Sequence, residues 1–146
     1  MKRIIALALV CVFMPSYSYA CWQVGQAGAI IQTTSLNGRV TDNEKPREGM
    51  RFDLHRAITF DRVEAQKTGA WEQPTLKTVT ADSSGLFSFG EVPPGRYWIV
   101  SGKGNLSESF AVEVWTPKVR DAYQRLWVRY WADGCQDLLV EDANRK

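Results

Sequence analysis

Apolar and polar residues alternate along most of the chain in short runs. Turn-forming residues separate these runs at roughly the 8–12-residue spacing of a β-sandwich or barrel. Strands are predicted over residues 29–35 and 38–42, the second ending in the polar turn Asn43-Glu44-Lys45-Pro46. Residues 50–59 follow, with Met50, Phe52 and Leu54 on one face and Arg51, Asp53 and His55 on the other. Further strands are expected over 76–82, 86–89, 96–101, 110–115, 124–132 and 138–141. Residues 61–74 read as a long polar loop with an imperfect strand, and only 117–124 could form a helical turn or two. Val92-Pro93-Pro94-Gly95 is a rigid reversal, because proline fixes φ and glycine tolerates φ > 0. Asp133-Gly134 is a hairpin signal. These nine runs are read as seven or eight sandwich strands, with residues 29–35 at the edge, as in a small sandwich.

The first twenty residues break the alternation. Lys2 and Arg3 precede an uninterrupted apolar run over 4–14, and Pro15, Ser18 and Ala20 then supply a helix break and small residues before a cut. This reads as a signal peptide cleaved after Ala20, in a chain destined for the periplasm or for secretion. The run is shorter than the roughly 20 residues that span a bilayer. Losing Lys2 and Arg3 brings the basic residues level with the 16 acids, so net charge does not mark the mature chain as a nucleic-acid binder. With 45% hydrophobic and 23% charged residues over 146 positions, one globular domain is expected. It divides into an N-terminal segment over 21–37, a sandwich over 38–142 and a polar tail over 143–146.

Cys11 leaves with the apolar run. Cys21 and Cys135 remain, and in an exported chain two cysteines read as one disulfide closing almost the whole mature chain. Two free thiols are the other state. Acylation of Cys21 as a lipoprotein anchor also competes, although Ser18 and Tyr19 stand where Leu and a small residue are usual. That chemistry consumes the sulfur and excludes the bridge.

The stretch Thr80-Ala81-Asp82-Ser83-Ser84-Gly85-Leu86-Phe87-Ser88-Phe89, continued by Val92-Pro93-Pro94-Gly95-Arg96-Tyr97 and preceded by Gly38-Arg39-Val40, resembles the carboxypeptidase regulatory-like domains. These belong to the transthyretin-like (prealbumin-like) sandwiches. The resemblance covers residues 38–114 and implies an all-β, Greek-key, transthyretin-like β-sandwich. Asp82 then caps its own turn, Gly85 takes positive φ, and Phe87, Phe89, Tyr97 and Ile99 face the core. On function it is nearly mute, because such folds host many roles.

Enzymes near this family do not fit the residues present. A metallocarboxypeptidase zinc site needs two His and a Glu, and an intradiol dioxygenase iron site needs two Tyr and two His. This chain has one His, His55. The purine-pathway hydrolases of the family end in Tyr-Arg-Gly-Ser, whereas this chain ends Asp142-Ala143-Asn144-Arg145-Lys146. An adhesin-type isopeptide needs an inward Lys where Arg39 stands. Ser83 and Ser84 read as turn serines without a base, and alternation makes His55 a solvated residue. Asp53, Asp61, Glu64 and Asp82 lack the regular spacing of a Ca²⁺ loop. No enzyme, cofactor or metal is expected.

Six Trp is a high count for this length. Over 125–132, Leu126, Val128, Tyr130 and Ala132 point one way, and Arg125, Trp127, Arg129 and Trp131 the other. The Arg side is the wetter one. The same phase puts Trp98 beside Arg96 and Trp115 beside Glu113. Two readings stay open. The outer Trp residues stack on Arg and are covered by the 61–74 loop or by the segment from Trp22. Alternatively, Trp98, Trp115, Arg125, Trp127, Arg129 and Trp131 form a platform for a protein partner or for a glycan. The expected function is a non-catalytic envelope binding module acting through protein contacts. Carbohydrate binding and a lipid-anchored form are the alternatives.

Overall fold

The computed structural model describes residues 30–67, 74–101, 109–116, 124–131 and 135–142. The expected helical turn over 117–124 lies outside these residues apart from Gln124, which begins a strand. In chain order the elements are β1 (Ile31–Thr33), β2 (Asn37–Asp42), β3 (Lys45–Pro46), β4 (Arg51–Arg56), α1 (Arg62–Lys67), β5 (Lys77–Thr80), β6 (Leu86–Ser88), β7 (Gly95–Ser101), β8 (Ser109–Val114), β9 (Gln124–Tyr130) and β10 (Gln136–Asp142). The chain is all-β. The described residues hold ten strand segments against the expected seven or eight, partly through short pairings such as three-residue β1 and two-residue β3. No helix among the described residues is long and apolar enough to cross a membrane.

The strands form two mixed sheets in a sandwich-like arrangement. Sheet I runs β1-β8-β7-β4-β5, and sheet II runs β10-β9-β2-β3 with β6 also on β2. Among the described residues two pairings are parallel, β1 with β8 and β2 with β9. β9 and β10 pair antiparallel from Tyr130↔Gln136 to Gln124↔Asp142, as the Asp133-Gly134 signal requires of its flanks. At the β2–β3 turn Asn43 and Glu44 both take positive φ, 47° and 67°, which suits a two-residue hairpin.

Alternation puts the inner faces together. Phe52, Leu54, Tyr97, Ile99 and Val112 of sheet I meet Val40, Phe87, Leu126, Val128 and Leu138 of sheet II. A Cβ on Gly38 would lie 2.6 Å from Phe87 Cζ and 2.7 Å from the Leu126 carbonyl oxygen, so only glycine lets β2 approach this closely. At the β5–β6 turn, Asp82 Oδ1 accepts the amides of Ser84 (2.8 Å) and Leu86 (2.9 Å), and Gly85 takes φ 72°.

A second apolar cluster lies on the outer face of sheet I. Trp98, Val100 and Ala111 pack there under Ala65 of α1, with Ala57 and Phe60 beside them. Within the segment expected as a loop with an imperfect strand, Arg62–Lys67 form a helix instead. Asp61 caps it, its Oδ1 accepting the Glu64 amide at 2.9 Å. This cover corrects the reading of His55. The residue does share a face with Arg51 and Asp53, but it pairs across to Trp98 and is buried, 6% exposed, rather than solvated.

Candidate interaction face

The outer face of sheet II gathers the aromatic and charged residues of β9 with partners from both neighbouring strands. Parallel pairing sets Arg39 of β2 opposite Trp127, and antiparallel pairing sets Leu139 of β10 on the other side. The Arg39 guanidinium lies 3.8 Å from the Trp127 ring centroid, and Arg129 lies 5.0 Å from that ring and 4.8 Å from Trp131. Arg39, Trp127, Arg129 and Trp131 therefore form one ladder of alternating cations and rings, each contact worth about 0.5–2 kcal/mol with desolvation. The Trp127 indole N–H donates to Thr41 Oγ1 at 2.9 Å, which fixes the ring.

Carboxylates anchor the guanidiniums. Arg39 donates from Nε (2.7 Å) and Nη2 (2.9 Å) to the two oxygens of Glu141, and Arg125 Nε donates to the same carboxylate. Arg129 donates from Nε and Nη2 to both oxygens of Asp137, whose side chain is only 5% exposed. Such forked, charge-assisted pairs set orientation as well as energy. Burial pushes the Glu141 carboxyl upward, but the hydrogen bonds and charges of Arg39 and Arg125 outweigh it and hold the group below the usual carboxylate range. The face is partly exposed and built from Arg and Trp.

The six residues singled out by alternation do not form one surface. Arg125, Trp127, Arg129 and Trp131 share this face. Trp98 is on the outer face of the other sheet and is 0% exposed, its indole N–H donating to the Thr59 carbonyl at 3.0 Å and its ring edge-on to Phe60. Trp98 is thus a covered residue and no part of a platform. Trp115, at the end of β8, is 52% exposed. Its indole hydrogen bond to Glu113, stronger than the opposing effect of burial and joined by Gln32 and Arg96, holds the Glu113 carboxyl below its usual range.

The remaining candidates have separate local roles. Asp53 takes hydrogen bonds from Arg51 and Thr78, Asp61 caps α1, Glu64 accepts from Thr59, and Asp82 holds its turn. Cys135 is buried, 4% exposed, and Cys21 lies outside the described residues. Sequence reasoning did not bring Arg39, Thr41, Asp137 and Glu141 to the face. Arg39 and Thr41 come from a strand distant in the chain, whereas Asp137 and Glu141 lie on the next strand, where opposite-sign charges at alternating positions of β9 and β10 hinted at the pairing. No protein-family model, no curated protein and no solved structure matches the chain.

Proposed function

We propose that this chain is an exported, non-catalytic binding domain of the cell envelope, acting through protein contacts on the outer face of sheet II. The observation that carries the reading is the Arg39–Trp127–Arg129–Trp131 ladder, locked by Glu141 and Asp137. Arg and Trp are the residue types that dominate binding energy at protein interfaces, and side chains already fixed lose little entropy on association. The same stacking disfavours a glycan at Trp127, since a sugar would have to displace Arg39 from the ring.

The domain is, in this reading, a Greek-key transthyretin-like sandwich of the carboxypeptidase regulatory-like kind. The Asp82 turn, the close approach of Gly38 to Phe87, and inward Tyr97 and Ile99 support it. Cleavage after Ala20 and a Cys21–Cys135 bridge complete it, and the buried Cys135, which is not without a partner, supports the bridge.

The test is site-specific photo-crosslinking in cells. A photoreactive residue at Leu139, beside Trp127 on the outer face, should give a discrete adduct with an envelope protein. The same residue at Ile58, 67% exposed near α1, should not. Equal adducts from both positions, or none from Leu139, would refute the contact face.

A saccharide reading survives at a different place. Trp115 is more than half exposed with its indole held by Glu113. A stacked sugar would shift its emission, and a sugar panel silent at millimolar concentration would remove this alternative.

A further inference from the structure

The outer face of sheet II runs into a shallow cleft of about 640 Å³ beside the first residues of β2, β6 and β9. That volume falls within the roughly 300–1,000 Å³ of ligand sites. Leu86, 45% exposed, is one of its apolar lining residues, with Val79 and Phe87. Its polar side is Ser35, Asn37, Gln124 and Arg125.

The hydrogen bonds within the cleft engage its acceptors and leave its donors. Gln124 Oε1 accepts from both the amide and the hydroxyl of Thr34 at 3.2 Å. A backbone N–H can only donate, so the side-chain amide orientation is set and Nε2 is left without a partner among the described residues. Asn37 Oδ1 accepts from the Ser88 hydroxyl, which leaves Nδ2. Ser35 Oγ accepts the Asn37 amide at 3.1 Å, which leaves the hydroxyl proton. Arg125 directs Nε at Glu141, and its two terminal nitrogens have no partner among the described residues, with the side chain 32% exposed.

Glu141 serves two guanidiniums, Arg39 and Arg125, so this triad carries a formal charge of +1, which Asp82 on the cleft wall offsets. Asp82, the acid on the cleft wall, has its Oδ1 engaged by two turn amides. A donor-rich wall that includes the Arg125 guanidinium, beside an apolar one, fits a planar anion attached to an apolar group.

We propose that this cleft receives an acidic side chain of the protein partner. Its carboxylate is forked by the terminal nitrogens of Arg125 and flanked by the amide donors of Gln124 and Asn37. An adjoining apolar side chain lies on Leu86. This deepens the contact-face reading and rests on it. A neutral carbonyl would accept from these donors without the strength of a charge-assisted pair, and a basic segment would meet the Arg125 guanidinium.

The test is an NMR titration of the mature chain with acetyl-Leu-Glu-Leu-amide, its Gln counterpart, and glutarate. The Glu peptide should shift the amides of residues 86–88 and 124–125 saturably, and the Gln peptide should bind at least tenfold more weakly. Arg125→Met should weaken the Glu peptide by a similar factor. Its fold should survive, because Arg39 still holds Glu141. Leu86→Glu, at an exposed position, should weaken it too and provides a second variant. Arg125→Lys should recover only part of the loss, since an ammonium keeps the charge without the fork. Equal binding of the Glu and Gln peptides, or indifference to both variants, would overturn the proposal. Glutarate binding as tightly as the peptide would overturn the protein segment in favour of a small carboxylate. A crosslink from Leu139 that persists when the peptides fail would retire the cleft and leave the contact face standing.

Discussion

Glu141 joins three strands through two guanidiniums, and its ionisation is a lever on the face it anchors. Its side chain is 20% exposed, so part of the attraction is screened, and replacing Glu141 by Gln should cost about 1–2 kcal/mol at neutral pH. Its carboxyl titrates lower in the folded chain than the unfolded value near 4.5, despite the opposing effect of burial, because of Arg39 and Arg125. The stabilisation is therefore full above that value and is lost as pH falls through the lowered folded one. Urea unfolding of the parent and Glu141→Gln at pH 7, 5 and 3 should show a gap that narrows toward the acid end. A gap unchanged at pH 3 would mean that shape rather than charge holds the face. At this scale the sequence showed which way Arg125, Trp127, Arg129 and Trp131 point, because alternation within one strand decides it. It did not show that Arg39 stacks on Trp127, because that depends on a parallel pairing of segments nearly ninety residues apart. His55 was misread for a related reason: its phase was right, but burial depends on what crosses above it.

The six-residue helix α1 is too short for periodicity to reveal, yet it decides the fate of Trp98. The available signal was a capping pair, Asp61 followed three residues later by Glu64, with Thr59 accepting from the Asp61 amide at 3.1 Å and donating to Glu64 at 3.1 Å. Strands, by contrast, were legible almost throughout, because most bury one face and alternation records it, although β7 and β8 bury both. Among the described residues the cover over Trp98 includes Ala65, Phe60 and the indole hydrogen bond to the Thr59 carbonyl. Removing the cap with Asp61→Ala should cost α1 about 1 kcal/mol. Local opening should then expose the Trp98 indole, and its N–H should exchange with solvent about fivefold faster. The Trp127 indole N–H, bonded to Thr41 on the other sheet, should not change. Two-dimensional NMR resolves the two signals. Equal acceleration of both would mean global destabilisation rather than the lifting of a local cover.

On the scale of the whole molecule, export and closure of the chain are one question, because both turn on Cys21. Cys135 is buried just before β10, an edge strand of sheet II. Ten positions separate Cys21 from Ile31, the first residue of β1, and ten extended residues reach roughly 30 Å, so chain length does not prevent the proposed bridge. A bridge from Cys21 to Cys135 would close more than a hundred residues, which the chain-entropy model values at about 4–5 kcal/mol. Reduction should then lower Tm by roughly 10 °C or more in a domain of this size. Intact mass of protein taken from its native envelope separates the alternatives. A mass beginning at Cys21 that rises by two hydrogens on reduction establishes cleavage after Ala20, the bridge and an unanchored domain, whose face is then open to partners in the surrounding compartment. A mass heavier by a diacylglycerol and a fatty acid, with Tm indifferent to reductant, means that Cys21 holds lipid instead. The bridge is then impossible, and the Arg–Trp face would act tethered to a membrane surface.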